Sequence, residues 1–161
     1  MKELIINMDE LAFVLHRGHD IEMECYLNTK SGDIISIPTN DSIISNILDL
    51  EDDVSVLNKS GLVEMMLPDR GDLLYIPNNF SQIIFELMSD FTKLIENDHA
   101  EIHDMLWAAI QKGGGYEEYH RIIKSRPGIL NQFILFRDKK FEENAVIWLN
   151  EQKIKPLSQI L

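Results

Sequence analysis

Apolar residues recur along this chain with two different periods, and the change between them separates a strand-bearing first part from a mainly helical C-terminal half. Asn7-Met8-Asp9-Glu10 reads as a helix start, because Asn7 can accept from the amides of the first turn and Glu10 can reach back to its backbone. Leu11, Val14 and Leu15 continue as an apolar stripe until Gly18. From Glu22 to Leu27 the period becomes two, with Met23, Cys25 and Leu27 on one face and Glu22, Glu24 and Tyr26 on the other. The turn formers from Asn28 to Asp33 and the β-branched run Ile34-Ile35-Ser36-Ile37, ended by Pro38, complete a β-hairpin.

Residues 39 to 71 fit more than one reading. Ser42 to Leu50 has helical spacing through Ile43, Ile44, Ile47 and Leu48, Val54-Ser55-Val56-Leu57 fits a strand or a turn, and Ser60 to Leu67 fits a short helix or another strand. Periodicity does not arbitrate runs this short. Asp49, Glu51, Asp52 and Asp53 read as a solvated acidic loop, since a calcium loop needs carboxylates at alternate positions around a glycine.

Leu73-Leu74-Tyr75-Ile76 before Pro77 is a third strand that pairs with the hairpin, and beyond it the chain turns helical. Ile83, Ile84, Leu87, Met88, Phe91, Leu94 and Ile95 recur at three and four in a helix starting near Asn79 or Ser81. Asp98 is the expected cap of a second helix, with Ile102, Met105, Leu106, Ala109 and Ile110, stopped by Gly113-Gly114-Gly115. A third helix runs from about Tyr116 to Lys124. Pro127 opens the next, which carries Leu130, Ile134, Phe141, Ala145, Trp148 and Leu149 in register, with a break expected near Asp138. No repeat, linker or low-complexity tract intervenes, so residues 1–161 read as a single α+β domain: an N-terminal helix, a small antiparallel sheet built on a β-hairpin, and a C-terminal bundle of about four helices.

Charge narrows the partners. Lys plus Arg number 15 against 27 Asp plus Glu, a formal charge of -12, and that field disfavours nucleic acid and anionic membranes while leaving protein as a partner class. Arg121, Lys124 and Arg126 are the one basic cluster set against it. A single cysteine, Cys25, excludes an intramolecular disulfide and a thiol-built zinc site, which predicts a reducing, cytoplasmic setting. Met1 to Ile6 is too short an apolar run for an export signal, and no apolar stretch approaches the ~20 residues of a membrane span.

The segments Tyr26-Leu27-Asn28-Thr29-Lys30-Ser31-Gly32-Asp33-Ile34-Ile35, Leu74-Tyr75-Ile76-Pro77, Phe133-Ile134-Leu135-Phe136-Arg137-Asp138 and Ala145-Val146-Ile147-Trp148-Leu149 together resemble the bacterial family catalogued as Uncharacterised Protein Family 0158. The resemblance covers most of the chain and implies an α+β fold. It implies no activity, because the family is of unknown function. Gly114, Gly115, Tyr116 and Tyr119 stand where the family has a small-residue turn with aromatics three apart, and Phe133, Phe136, Arg137, Asp138 and Trp148 stand in its last helix. Two departures stand out: Glu117 and Glu118 occupy positions where members often carry basic residues, and residues 39 to 71 match poorly.

Several side-chain sets are candidates for chemistry. Tyr116, Tyr119, Phe133, Phe136, Arg137 and Asp138 form a candidate ligand or partner surface, although Arg137 and Asp138 beside aromatic rings also suit a structural tie, which is the preferred reading. His99 and His103, four apart on a helix with Glu101 and Asp104 nearby, are a candidate metal pair. The acid in His-Ala-Glu-Ile-His stands one place too late for a metalloprotease, so a solvated helix face is preferred and no cofactor is implied. His16 and His19 read as helix termination, with a partly charged imidazole facing the helix dipole. The triple glycine lacks the Lys-Ser/Thr of a phosphate loop, Cys25 reads as an inert core thiol, and no Gly-x-Ser-x-Gly elbow exposes a serine. Three functions follow in order: a non-enzymatic acidic interaction or regulatory module, a small metal-dependent enzyme or metal-binding protein using His99 and His103, and a nucleic-acid-associated protein using Arg121, Lys124 and Arg126.

Overall fold

A computed structural model describes residues 1–18, 21–39, 70–113 and 115–157. The expectations for residues 40–69, and for His19 and Gly114, lie outside the described residues.

The first helix forms as its sequence dictates. Asn7 Oδ1 accepts from the Glu10 amide at 3.1 Å and so caps α1 (Met8–Leu15), whose Leu11, Val14 and Leu15 are buried. The hairpin follows as β2 (Met23–Asn28) and β3 (Ile34–Pro38), paired with Cys25 opposite Ser36 and Leu27 opposite Ile34. A 3-10 turn (Arg70–Asp72) leads into β4 (Leu73–Ile76), which pairs antiparallel with the other edge of β2 and gives the order β3-β2-β4. The alternation sends Cys25 and Leu27 into the core, while Tyr26 and Tyr75 meet edge-to-face on the opposite side, with ring centroids 5.8 Å apart.

Four helices complete the expected bundle: α2 (Phe80–Leu94), α3 (Ala100–Gln111), α4 (Gly115–Lys124) and α5 (Pro127–Glu151). Two local expectations are corrected. The residue at the N-cap of α3 is His99 rather than Asp98, and its side chain makes no capping bond. No break occurs near Asp138: α5 runs unbroken through Arg137, Asp138 and Lys139, where neither proline nor glycine disturbs the backbone ladder.

One further element has no counterpart in the sequence pattern. β1 (Lys2–Ile5) and β5 (Ile154–Leu157) form a parallel pair, with Lys2 opposite Ile154 and Leu4 opposite Pro156, and this pair lashes the start of the described chain to the segment after α5. Pro156 is tolerated because a two-stranded sheet has only edge strands.

The interior has two centres. Leu4, Leu11, Leu15, Cys25, Leu27 and Ile76 pack with Ala145, Trp148 and Leu149 from the end of α5. Leu87, Phe91, Leu106, Tyr119 and Ile123 pack with Ile129 and Phe133 from its beginning. Each fully buried aliphatic side chain contributes about 1.5–3 kcal/mol. Phe141, midway along α5, packs against both clusters and marks the seam between them. Among the described residues no helix is long and apolar enough to cross a membrane.

Candidate functional site

At this seam α1, the start of α2, α4 and the middle of α5 surround a hollow of about 660 Å³ lined by His16, Phe80, Tyr116 and Phe141. Phe13 from α1 and Leu135 from α5 stand on its rim, 57% and 73% exposed, and Asp9, Arg137, Asp138, Lys139 and Glu142 supply its charge.

The walls are held by backbone-directed side chains. Arg17, buried at the end of α1, donates from one guanidinium nitrogen to the carbonyls of Val14 (2.7 Å), Ile76 (3.3 Å) and Pro77 (3.4 Å), which ties the last turn of α1 to β4. Asn78 then exchanges hydrogen bonds with Gly18, accepting from its amide at 3.2 Å and donating to its carbonyl at 2.9 Å, and also accepts from the Phe80 amide at 3.2 Å. Phe80 is therefore set at the first turn of α2 from two directions, and its ring meets Tyr116 edge-on at 5.5 Å.

His16 closes the inner wall. It is the C-cap of α1, in agreement with the helix-termination reading, but the charge assumed there is corrected: the ring is buried and its pKa is lowered by desolvation, against the opposing effect of its bond to Ala12. Nδ1 lies 2.8 Å from the Ala12 carbonyl, which can only accept, so Nδ1 carries the proton. Nε2 is then the acceptor for the Asn144 amide, 2.7 Å away. The ring also stacks on Phe141, with centroids 4.1 Å apart and planes 9° apart. Arg137 stands over the Phe141 ring at 6.0 Å.

The structure divides the six residues of the candidate surface. Tyr116, Arg137 and Asp138 line the hollow. Arg137 donates from Nε and Nη2 to Asp138 Oδ1 at 3.2 and 3.1 Å. Burial raises the Tyr116 pKa, while the charge of Arg137 and a hydrogen bond from it pull the other way. Tyr119 and Phe133 are instead fully buried in the helical core behind it. The Tyr119 hydroxyl donates to the Met88 carbonyl at 3.0 Å and lies 2.9 Å from the Thr92 hydroxyl, and burial pushes its pKa up. Phe136 packs tilted against Phe91 at 5.6 Å, also away from the hollow.

His99 and His103 take separate roles: His99 begins α3, and His103 Nδ1 lies 3.0 Å from the carboxylate of its neighbour Asp104. Among the described residues no group of three or more His, Cys, Asp or Glu is placed to hold a metal ion. Cys25 is buried with Sγ 3.5 Å from the Ser36 hydroxyl. In the basic cluster, Arg121, Lys124 and Arg126 are exposed, and Arg121 reaches Glu118 only at 3.8 Å.

Pattern reading missed Asp9, Phe13, Phe80, Leu135, Phe141 and Glu142. Each occupies an ordinary helical position, and only the approach of α1 to α5 brings them to one hollow. No family model matches the chain, and neither does any curated protein or solved structure.

Proposed function

We propose that this chain is a non-enzymatic, acidic protein-interaction module, and that the hollow between α1 and α5 receives the partner. One observation carries the reading: Phe13 and Leu135, two large apolar side chains, stay mostly exposed on the rim of a hollow whose wall is aromatic. Apolar surface gathered around a concavity and bordered by charge is the usual anatomy of a docking site. The histidine in the hollow argues against proton-transfer work there, since both ring nitrogens of His16 are already engaged.

The resemblance to Uncharacterised Protein Family 0158 belongs to the same proposal and adds no chemistry, because that family has no assigned activity. The cytoplasm is the compartment this reading takes, on the single cysteine of the chain.

A photo-crosslinking residue placed at Leu135 tests the proposal, with a second variant carrying it at exposed Gln111 on α3 as control. The expected result is one specific protein adduct from position 135, absent from position 111, whose purified complex slows hydrogen exchange in α1 and the middle of α5. No adduct, or the same adducts from both positions, overturns the reading.

A further inference from the structure

The hollow does not end at Asp9 and Glu142. These two residues also line a second, smaller hollow of about 380 Å³, bordered by Met8, Val146, Pro156 and Leu157, so the two concavities adjoin in one groove along α5. Leu135, Asp138, Glu142 and Val146 succeed one another at helical spacing on the same side of α5, and Asp9 and Phe13 do so on α1. From Leu135 to Val146 the groove follows α5 for about 16 Å, roughly three turns of helix.

Its charges are unequally committed. Arg137 and Asp138 satisfy one another. Asp9 and Glu142 make no ion pair or side-chain hydrogen bond among the described residues, and Lys139 is the single uncommitted cation of the lining. The middle of the groove therefore offers two free carboxylates, with exposed apolar side chains on either side: Phe13 and Leu135 at one end, Val146 at the other.

The backbone restricts the form of the occupant. From Phe13 and Leu135 to Asp9 and Glu142 both banks are helices whose peptide groups bond within the helix; β5 borders only the far end, through Leu157 and through Pro156, which has no amide to donate to an extended segment. A helical segment satisfies its own peptide groups and lays an apolar stripe against such a surface. The chain's net charge of -12 steers cations toward it.

We infer that the groove takes a basic amphipathic helix of a partner protein, with a lysine or arginine seated against Asp9 and Glu142 and apolar side chains resting on Phe13 and Leu135 at one end and Val146 at the other. This rests on the reading of the hollow as a protein docking site.

The test uses the full, isotope-labelled chain and helical peptides of ~14 residues, blocked at both ends, with identical leucine spacing and lysine, glutamine or glutamate at the central positions. The lysine peptide is expected to shift the amides of residues 9–16 and 135–146, and to bind about tenfold or more tighter than the glutamate peptide at low salt. The double variant Asp9→Asn with Glu142→Gln, both at exposed positions, is expected to keep its spectrum and reduce that preference to less than about twofold. Equal binding of the three peptides at these amides overturns the basic partner while leaving the docking site standing. Shifts elsewhere, or none at millimolar peptide, overturn the inference, and the adduct from position 135 then decides the docking reading by itself.

Discussion

His16 and Asn144, which stand 128 residues apart in sequence, meet side chain to side chain at 2.7 Å where α1 lies against α5. The pairing fixes the imidazole as a neutral ring, because the Ala12 carbonyl holds the Nδ1 proton and the Asn144 amide occupies Nε2. It also orients the ring that stacks on Phe141 at the seam between the two cores. A polar contact thus helps to set the inner wall of an otherwise aromatic hollow.

Stability should consequently fall in mild acid. The folded-state pKa of His16 lies below its usual 6.5, so the unfolded chain takes up the proton first as pH drops. The contribution is full above about 6.5, declines as pH falls toward the folded value, and changes no further below it. Urea midpoints across that window should decline more steeply for the native chain than for His16→Gln. Asn144→Asp should raise the imidazole pKa in a proton NMR titration by placing a carboxylate beside Nε2.

Gly32 makes a second long-range contact that a substitution would expose. Its φ is +81°, and a Cβ there would stand well inside contact distance of the Ile5 carbonyl oxygen, so the hairpin turn and β1 close on one another only without a side chain. Gly32→Ala should cost about 3 kcal/mol. Gly71→Ala, where nothing lies within 4 Å and no positive φ is involved, should change stability by less than about 0.5 kcal/mol. Chemical denaturation of the two variants checks the contrast.

The elements that sequence made legible are those with a long enough period. The alternation from Met23 to Leu27 and the three-and-four spacing from Ile83 to Ile95 both appear as elements with the expected inward faces, except that Leu94, counted on the helical stripe, is 61% exposed. β1 and β5 were illegible because the partner of each lies at the far end of the chain and β5 carries a proline, whereas β4, equally short, shows an uninterrupted apolar run. The candidate site was half visible for a related reason. Tyr116 and Tyr119 look alike in sequence, yet one lines the hollow and the other is sealed in the core, a matter of depth that periodicity does not encode. The acids and apolar residues of α1 carried no signal until α5 was placed beside them.

Charge ties α2 to α5 at a different point. Lys140 Nζ lies 2.6 Å from Asp90 and 3.2 Å from Glu86, with the Asp90 side chain 41% exposed and that of Glu86 67%. The shorter, more sheltered bond should matter more. Asp90→Asn is expected to cost about 0.5–1 kcal/mol and Glu86→Gln less than about 0.5 kcal/mol. Both effects should shrink when unfolding is followed at ~1 M salt, because partly exposed pairs are screened.

The buried bond between Thr92 and Tyr119 offers a sharper measure of the helical core. Their hydroxyls lie 2.9 Å apart, and each also reaches the Met88 carbonyl, Thr92 at 2.7 Å and Tyr119 at 3.0 Å. Since each hydroxyl keeps the carbonyl when the other is removed, neither single change leaves a buried donor without an acceptor. Tyr119→Phe and Thr92→Val should therefore cost only about 1 kcal/mol each. The two hydroxyl protons serve three contacts, so one hydroxyl donates to the carbonyl while the other donates either to it or to its neighbour, and the contact between the hydroxyls is already gone after the first substitution. The double variant should fall short of the sum of the single costs by about 0.5–1 kcal/mol, read from urea unfolding of the four proteins. Strict additivity would mean that the contact between the two hydroxyls contributes nothing.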